Sequence, residues 1–548
     1  MALAYGSFHE LSHQLRFLLF EMGIALPQQH VDYYITLVHR TYLKKLQDAA
    51  IQEGFIASPI ITHHVHDFLE QLSLKLKETL PESRFFAWDK LYHQCNETIA
   101  NTALAQAYKK CWDMRLSKEL AGYPNLWQWI EQQTAEESLL FLDQWGCLNQ
   151  RICPSLHEVS PYTRREVLQY SAEFQAQFST HWAAVKKTKV LSLDRNKAVE
   201  KEFPQEYASW QQKISLHHVD VNHYQPIPVH PWLWRSQLQS EYVSMIDSKE
   251  LILLPHHQKV RPSMAANMVM PLKNSAHLKL TAENNSIIED VLRSLLLHEQ
   301  NYSNTLFLTP KSLTVKIESE LSSKSTLGFS IIQSPNTLIN NEQKIIPLTS
   351  LFAQSPLTQQ SLIDGLIQAS NLNPITYFTR YCHKLLSGPL HLFLKHGLSF
   401  STEAEQMAVI FKNHLPQGLI LRDVQHISMK HYISLKNKKV DIPESLTNDK
   451  LRKEFIASML QNNIYYWVEH LHREYQIERH SLWSQVKQVL DYLFLKLNKD
   501  LPSAPLQEQK NKLFNEPWQN KPFLSLLLKP KLTEPIFINT LNPLSFSS

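Results

Sequence analysis

Glycine is scarce in this chain, with ten in 548 residues. Neither the P-loop pattern GxxxxGK with Ser or Thr nor GxGxxG occurs. Any nucleotide is therefore held without the glycine-rich cradles that turn backbone N–H groups toward phosphate. Cysteine is also sparse. The five, at 95, 111, 147, 153 and 382, are scattered and form no CxxC pair, which argues against a disulfide framework and a thiolate zinc site. Charge of one sign is lacking: the formal net charge is +4, and no basic run appears. That excludes a strong field for nucleic acid or for an anionic membrane. No apolar run approaches the ~18 residues of a membrane span. The opening MALAYGSFHELSHQLRFLLFEMG has no basic n-region, and its FLLF is cut by Glu21, so a cytoplasmic location is expected.

What is present reads as globular, with 43% hydrophobic and 19% charged residues. The length calls for two or three domains. Segments 30–50, 59–80, 86–118 and 125–145 carry apolar residues at helical steps. Ser160-Pro161 opens a further expected helix through about 187. From about 215 to 350 the pattern becomes short β-favouring runs broken by Pro, Asn and Ser, such as LILLP, HLKLT and LTVKIE. These indicate an antiparallel sheet domain with inserted helices. Helices return at 357–371, 374–395, 449–474 and 480–498, and a hairpin is expected over 406–424.

Several clusters carry chemistry. HELSH (9–13) has the HExxH spacing of a zinc site, with Glu10 as base; surface residues of a first helix are the preferred reading. His63, His64 and His66 likewise read as solvated helix residues. In HLKLT, strand alternation puts Lys279 on one face with His277 and Thr281, and an inward lysine needs an anion. Ser286 to Glu289 is a capping box. The helix it opens has an apolar stripe of Ile288, Val291, Leu292, Leu295 and Leu296, with Arg293 about 140° from Ile288 at about 100° per residue. In the hairpin, a turn inside KNHLPQG pairs residue 407 with 423. Glu403, Glu405 and Gln406 then approach Asp423, a hard-oxygen set suited to Mg²⁺.

In order along the chain, PVHPW at His230, the loop at Ser263, HLKL at Lys279, the helical Arg293 and HG…LRD ending at Asp423 resemble the NRPS-independent siderophore synthetases of the IucA/IucC family. QYSAEF (169–174), NETIANTALAQAY (96–108), KPFLSLLL (521–528) and NPL (542–544) add to the likeness, which covers roughly residues 90–548. The resemblance implies an α+β cupped hand: a helical thumb (1–155), antiparallel-sheet fingers (156–373), and a palm of hairpin plus helices (374–548). It implies a ligase that adenylates a citrate-like carboxylate with ATP and Mg²⁺, then condenses it with an amine or alcohol. A homodimer also fits the family. Lys279 and Arg293 take the catalytic positions. Ser263, Glu403, Gln406 and Asp423 join them around the nucleotide, Asp423 and Glu403 at the metal, and His230 and Arg261 in the substrate cleft.

The chain departs from the family pattern at defined places. The family loop S-x-R-T reads Ser263-Met264-Ala265-Ala266 here. GHPxHPxxK aligns with GCLNQRICP, so Cys147, Gln150 and Pro154 replace two histidines and a lysine. In HGLSFSTEAEQM, Ser401 and Glu403 stand at the family's glutamate and histidine, and Gln406 at its asparagine. Arg261, two residues before Ser263, is the candidate replacement for the lost loop arginine. These departures support a second expectation, a catalytically impaired synthetase that binds nucleotide or a partner synthetase.

Overall fold

Apolar stripes at helical spacing wind the N-terminal segment into six helices of the computed structural model. It describes residues 8–146, 162–190, 197–260, 268–269, 292–297, 305–309, 311–317, 327–400, 403–422, 427–429, 448–499, 501–529 and 537–545. They are α1 (Phe8–Glu21), α2 (Gln28–Gln52), α3 (Val65–Thr79), α4 (Trp88–Glu119), α5 (Leu126–Gln132) and α6 (Ala135–Gly146). The single helix expected over 125–145 is two, because two caps compete with continuity. The Asn125 side chain accepts the Gln128 N–H at 3.0 Å to start α5. Thr134 and Glu137 then exchange side-chain-to-backbone bonds of 3.2 Å each way to start α6.

His9 and His13 lie exposed on α1, their Nε2 atoms 3.0 Å apart. His63 and His64 are exposed as well, but His66 is not the solvated residue its sequence neighbours suggest. Its ring stacks on Tyr92 and lies 5.9 Å from the buried His39 of α2. Spacing within 63–66 carries no hint of His39, because the contact is tertiary.

A late segment closes over these helices. Glu53, just after α2, caps the helix Phe523–Leu528: its carboxylate accepts the N–H groups of Leu524 and Ser525 at 2.6 Å each. Nearby, the Ala87 N–H donates to the Leu528 carbonyl at 2.9 Å, and Lys529 pairs with Glu82 at 2.8 Å. Leu524 and Leu528 are fully buried in the same core as α1 to α6. The NPL turn is structural too: Asn542 donates its side-chain N–H groups to the carbonyls of Leu513 and Glu516 and accepts the Leu544 N–H.

The middle of the chain corrects one expectation. Helix α7 (Arg164–Tyr170), opened by a Thr163–Glu166 capping box, stops at Tyr170 instead of continuing to 187. Residues Phe178–Lys186 are instead the strand β1, central in an antiparallel sheet with β2 (Tyr224–Val229) and β3 (Leu251–Val260). Trp182, Ala183, Ala184 and Val185 are all buried. A strand covered on both faces presents a continuous apolar run, which periodicity alone does not separate from a helix. A second antiparallel sheet packs under it, in the order β4 (Met268–Val269), β7 (Gly328–Ile332), β6 (Lys311–Lys316). Val315, Phe329 and Ile331 share one core with β1.

The third sheet positions the site. Its order is β5 (Leu306–Leu308), β11 (Leu415–Leu421), β10 (Met407–Lys412), β8 (Gln343–Pro347), with β5 parallel to β11. The expected hairpin is present but its register differs: Met407 pairs with Leu421, not with 423. The turn is the dipeptide Asn413-His414, with φ of 50° and 64°, rather than a loop around Pro416 and Gly418. Pro416 sits on β11 ahead of the stretch, 419–421, that pairs with β5, so its missing N–H breaks no rung there. Gly418 answers a close approach instead: a Cβ there would lie 2.7 Å from the Phe307 ring and 3.0 Å from the Thr305 carbonyl. C-terminal to the hairpin, the helical stretch from Asn448 to Tyr475 is interrupted by π-helical turns over Ile456–Ile464.

Candidate active site

The site is built at the open end of the β10–β11 hairpin, opposite its turn. The carbonyl of Gln406 accepts the Arg422 N–H at 2.9 Å, one step beyond the Met407–Leu421 pair. The Gln406 N–H donates back to the Glu403 carbonyl at 3.0 Å, closing a 3-10 turn over Ala404–Gln406. That turn leaves Glu403 exposed while Glu405 and Gln406 are half-buried.

Arg293 reaches the same end through one intermediate. Leu292 is buried in the large core and Leu295 and Leu296 pack against it, which turns Arg293 away from that stripe. Its Nη2 donates to the Thr309 carbonyl at 2.7 Å. Thr309 follows β5, and its own N–H donates to the Leu421 carbonyl at 3.0 Å. The parallel β5–β11 pairing thus brings a helical arginine beside the end of β11 at Leu421, next to Arg422. Thr309 was not singled out by sequence reasoning. It lies in NTLFLTP, where only its place after an apolar run was visible.

Electrostatics at this end favour a cation. Burial pushes the Glu405 carboxyl above the usual carboxylate range, and the neighbouring Glu403 adds to the shift. Among the described residues, Glu405 Oε2 is buried without a hydrogen-bond partner. A desolvated acceptor of this kind, with a second carboxylate and an amide beside it, fits a hard divalent cation.

His230 is placed differently from a cleft residue open to solvent. It is buried, Nδ1 accepts the Trp232 N–H at 3.1 Å, and Nε2 lies 3.2 Å from the Tyr162 hydroxyl. The rings of Tyr170 and Phe178 stand 4.8 and 4.7 Å from it. Burial, with the Arg235 charge adding, pushes the imidazole down to about 4. It is therefore neutral and holds the His-Pro-Trp turn in an aromatic box. Ser263, Lys279, Arg261 and Asp423 lie outside the described residues.

Comparisons with known proteins bear on this arrangement. The model of the IucA / IucC family matches residues 138–283, and that of the ferric iron reductase FhuF-like transporter matches residues 376–533. No helix among the described residues is long and apolar enough to cross a membrane. Putrebactin synthase of Shewanella sp. (strain MR-4) is 21% identical over 64% of this chain and 58% of its own length. A citryl-spermidine/3,4-dihydroxybenzoyl-citryl-spermidine:spermidine ligase of Bacillus anthracis is 20% identical over 63% of this chain and 57% of its own. The chain thus aligns with less than two thirds of these relatives. Among solved structures, the aerobactin synthetase IucC of Klebsiella pneumoniae superposes with a TM-score of 0.70 at 14% identity, covering 94% of this chain and 99% of that one. The ATP-bound aerobactin synthetase IucA of the same organism gives 0.63 at 15% identity, covering 88% and 87%. The α+β fold is that of these synthetases. With the ordered motifs from PVHPW to LRD, the family model matched over residues 138–283 and the shared fold, this chain is similar to the IucA / IucC family of NRPS-independent siderophore synthetases.

Proposed function

We propose that this protein is an AMP-forming ligase of siderophore assembly that joins a small carboxylic acid, citrate or a close analogue, to an amine or alcohol at the expense of ATP. The carboxylate oxygen attacks the α-phosphorus of ATP, the bond to the pyrophosphate oxygen breaks, and an acyl-adenylate forms. The amine or hydroxyl then attacks the acyl carbon, loses its proton, and AMP leaves with the carboxylate's former oxygen. Both steps gather negative charge in one cleft, so the protein's task is to neutralise and orient it. Arg293 and Lys279 are assigned to the phosphates. Ser263 and Gln406 orient the nucleotide, and Arg261 stands in for the arginine absent at 265. Glu403 and Asp423 are assigned to Mg²⁺, with Glu405 beside Glu403. When bound, the ion would supply charge neutralisation at the phosphates.

The observation that carries this reading is the link from Arg293 through Thr309 to Leu421 at the end of β11. It supports a cationic side chain fixed next to a carboxylate-rich strand end, as a metal-bound polyphosphate requires. The test is carboxylate-dependent ATP–pyrophosphate exchange with citrate, succinate and related acids. Arg293→Ala should lower exchange about 10²- to 10³-fold, the effect of losing one preorganised donor, and Lys279→Ala should abolish it. Exchange surviving Lys279→Ala overturns the site. Nucleotide binding by calorimetry with no exchange for any acid replaces the ligase by an impaired, nucleotide-binding synthetase.

A further inference from the structure

Two short ribbons bound the candidate site along the chain. One is the β10–β11 hairpin, which opens at the Met407–Leu421 pair. The other pairs β9 (Leu398–Phe400) antiparallel with β12 (Ile427–Met429), and its Phe400 lies opposite Ile427. Glu403 and Gln406 therefore belong to the chain that leaves one ribbon at Phe400 and enters the other at Met407. A ribbon of two such short strands is too small to fix its own end.

Ser458 supplies a fixed point. It is buried, and its hydroxyl donates to the Phe400 carbonyl at 2.7 Å. It sits on the π-helical turns Ile456–Ile464, where its neighbours Met459 and Leu460 are buried too. A serine inside a helix often turns its hydroxyl back to its own helix, whereas this one bonds a strand. The same turns lie against the 3-10 turn Ala404–Gln406, whose Ala404 is fully buried. They are anchored in their turn: Tyr381, on the helix Pro374–His396, donates its hydroxyl to Asn463 Oδ1 at 2.8 Å. That helix runs through Gly397, at φ 58°, straight into β9. Helix, strand and π-helical turns thus close a frame around the point where the chain enters the site. Turns of this kind are rare and recur at functional sites.

We propose that Ser458 is a positioning residue for the nucleotide end of the site. Its bond to the Phe400 carbonyl sets where β9 ends, and so where the turn carrying Glu403 and Gln406 begins three residues later. Ser458 touches main chain and not substrate, so it acts through that turn. The inference rests on the ligase reading for what Glu403 and Gln406 hold, which is ATP with its metal ion.

The experiment compares wild type, Ser458→Ala and Ser458→Thr as full chains. It measures carboxylate-dependent ATP–pyrophosphate exchange, and the binding of ATP with Mg²⁺ by calorimetry. Ser458→Ala should raise the KM and the Kd for ATP about tenfold, the effect of one hydrogen bond, and leave the KM for the acid unchanged. Ser458→Thr keeps the donor and should restore most of that affinity. A role in stability alone would lower the active fraction and leave both constants as they are. Unchanged ATP constants in Ser458→Ala, or an equal loss in Ser458→Thr, overturn the assignment while wild-type exchange upholds the ligase reading. Wild type that binds ATP without exchange overturns the ligase reading instead, and the Kd values still decide on Ser458. Should Ser458→Ala fail to fold, Ser458→Cys, with a weak donor of similar shape, takes its place: an unchanged Kd there overturns the proposal.

Discussion

Acid should loosen the N-terminal helices through His39, and the size of the effect follows from its surroundings. His39 is buried on α2, and its Nδ1 accepts the Val65 N–H at 3.4 Å. The rings of His64 and His66 stand 5.2 and 5.9 Å away. Burial first, then repulsion from His66 and His64, lowers its pKa from 6.5 to about 3. Between those values the unfolded chain binds a proton that the folded protein does not. The contribution to stability is therefore complete above about pH 6.5 and is lost as pH falls toward about 3. At ~1.4 kcal/mol per unit, about two units of acidification below 6.5 remove on the order of 2–3 kcal/mol. Urea unfolding followed by circular dichroism, at about pH 7 and about pH 4.5, should show wild type losing that much more than His39→Gln, which keeps an acceptor for Val65 but does not titrate. His66, also lowered by burial, remains in the variant and leaves a residual slope. Equal losses in the two proteins would refute the reasoning.

Two further outcomes are expected from packing. Asp364 accepts from Ser361 N and Oγ at 3.1 and 2.7 Å, from His470 Nε2 at 2.8 Å and from Tyr475 at 3.0 Å. Burial pushes its carboxyl up, but His470 and Ser361 outweigh that and hold it below the usual range. Asp364→Asn should cost about 2–4 kcal/mol near neutral pH by orphaning a buried histidine. A double-mutant cycle with His470→Ala should return strong coupling, and additive losses would argue against the network. Gly418→Ala should cost about 1–3 kcal/mol by pushing Phe307 and the Thr305 backbone away from β11. Because β5 leads to Thr309, which holds Arg293, the variant should also weaken nucleotide binding, read by calorimetry.

Much of the fold was legible because it depends on local pattern. The stripes of α2 and α4, the shift to short strands after 215 and the existence of the hairpin all follow from the order of apolar residues. Where the reading failed, tertiary contact decided. β1 was taken for helix because Trp182 to Val185 are covered on both faces. The hairpin register moved because Gly418 serves the approach of β5 and not a turn. At the site, Arg293 was visible as a residue off its helix stripe, but its route to the hairpin runs through Thr309, 16 residues away. His230 was found by its motif, while the aromatic box that neutralises it comes from 162, 170 and 178, which no spacing rule joins.

The cap that Glu53 places on the helix Phe523–Leu528 has a consequence for how the molecule is made. The partners are 471 and 472 residues apart. A ribosome that has finished α1 to α6 must add some four hundred residues before Leu524 and Leu528 arrive to cover them. Until then the nascent helices expose the apolar face those leucines seal, and contacts of such separation form slowly. The region translated first is completed last, so truncation before 523 should strike the N-terminal helices as well as the segment removed.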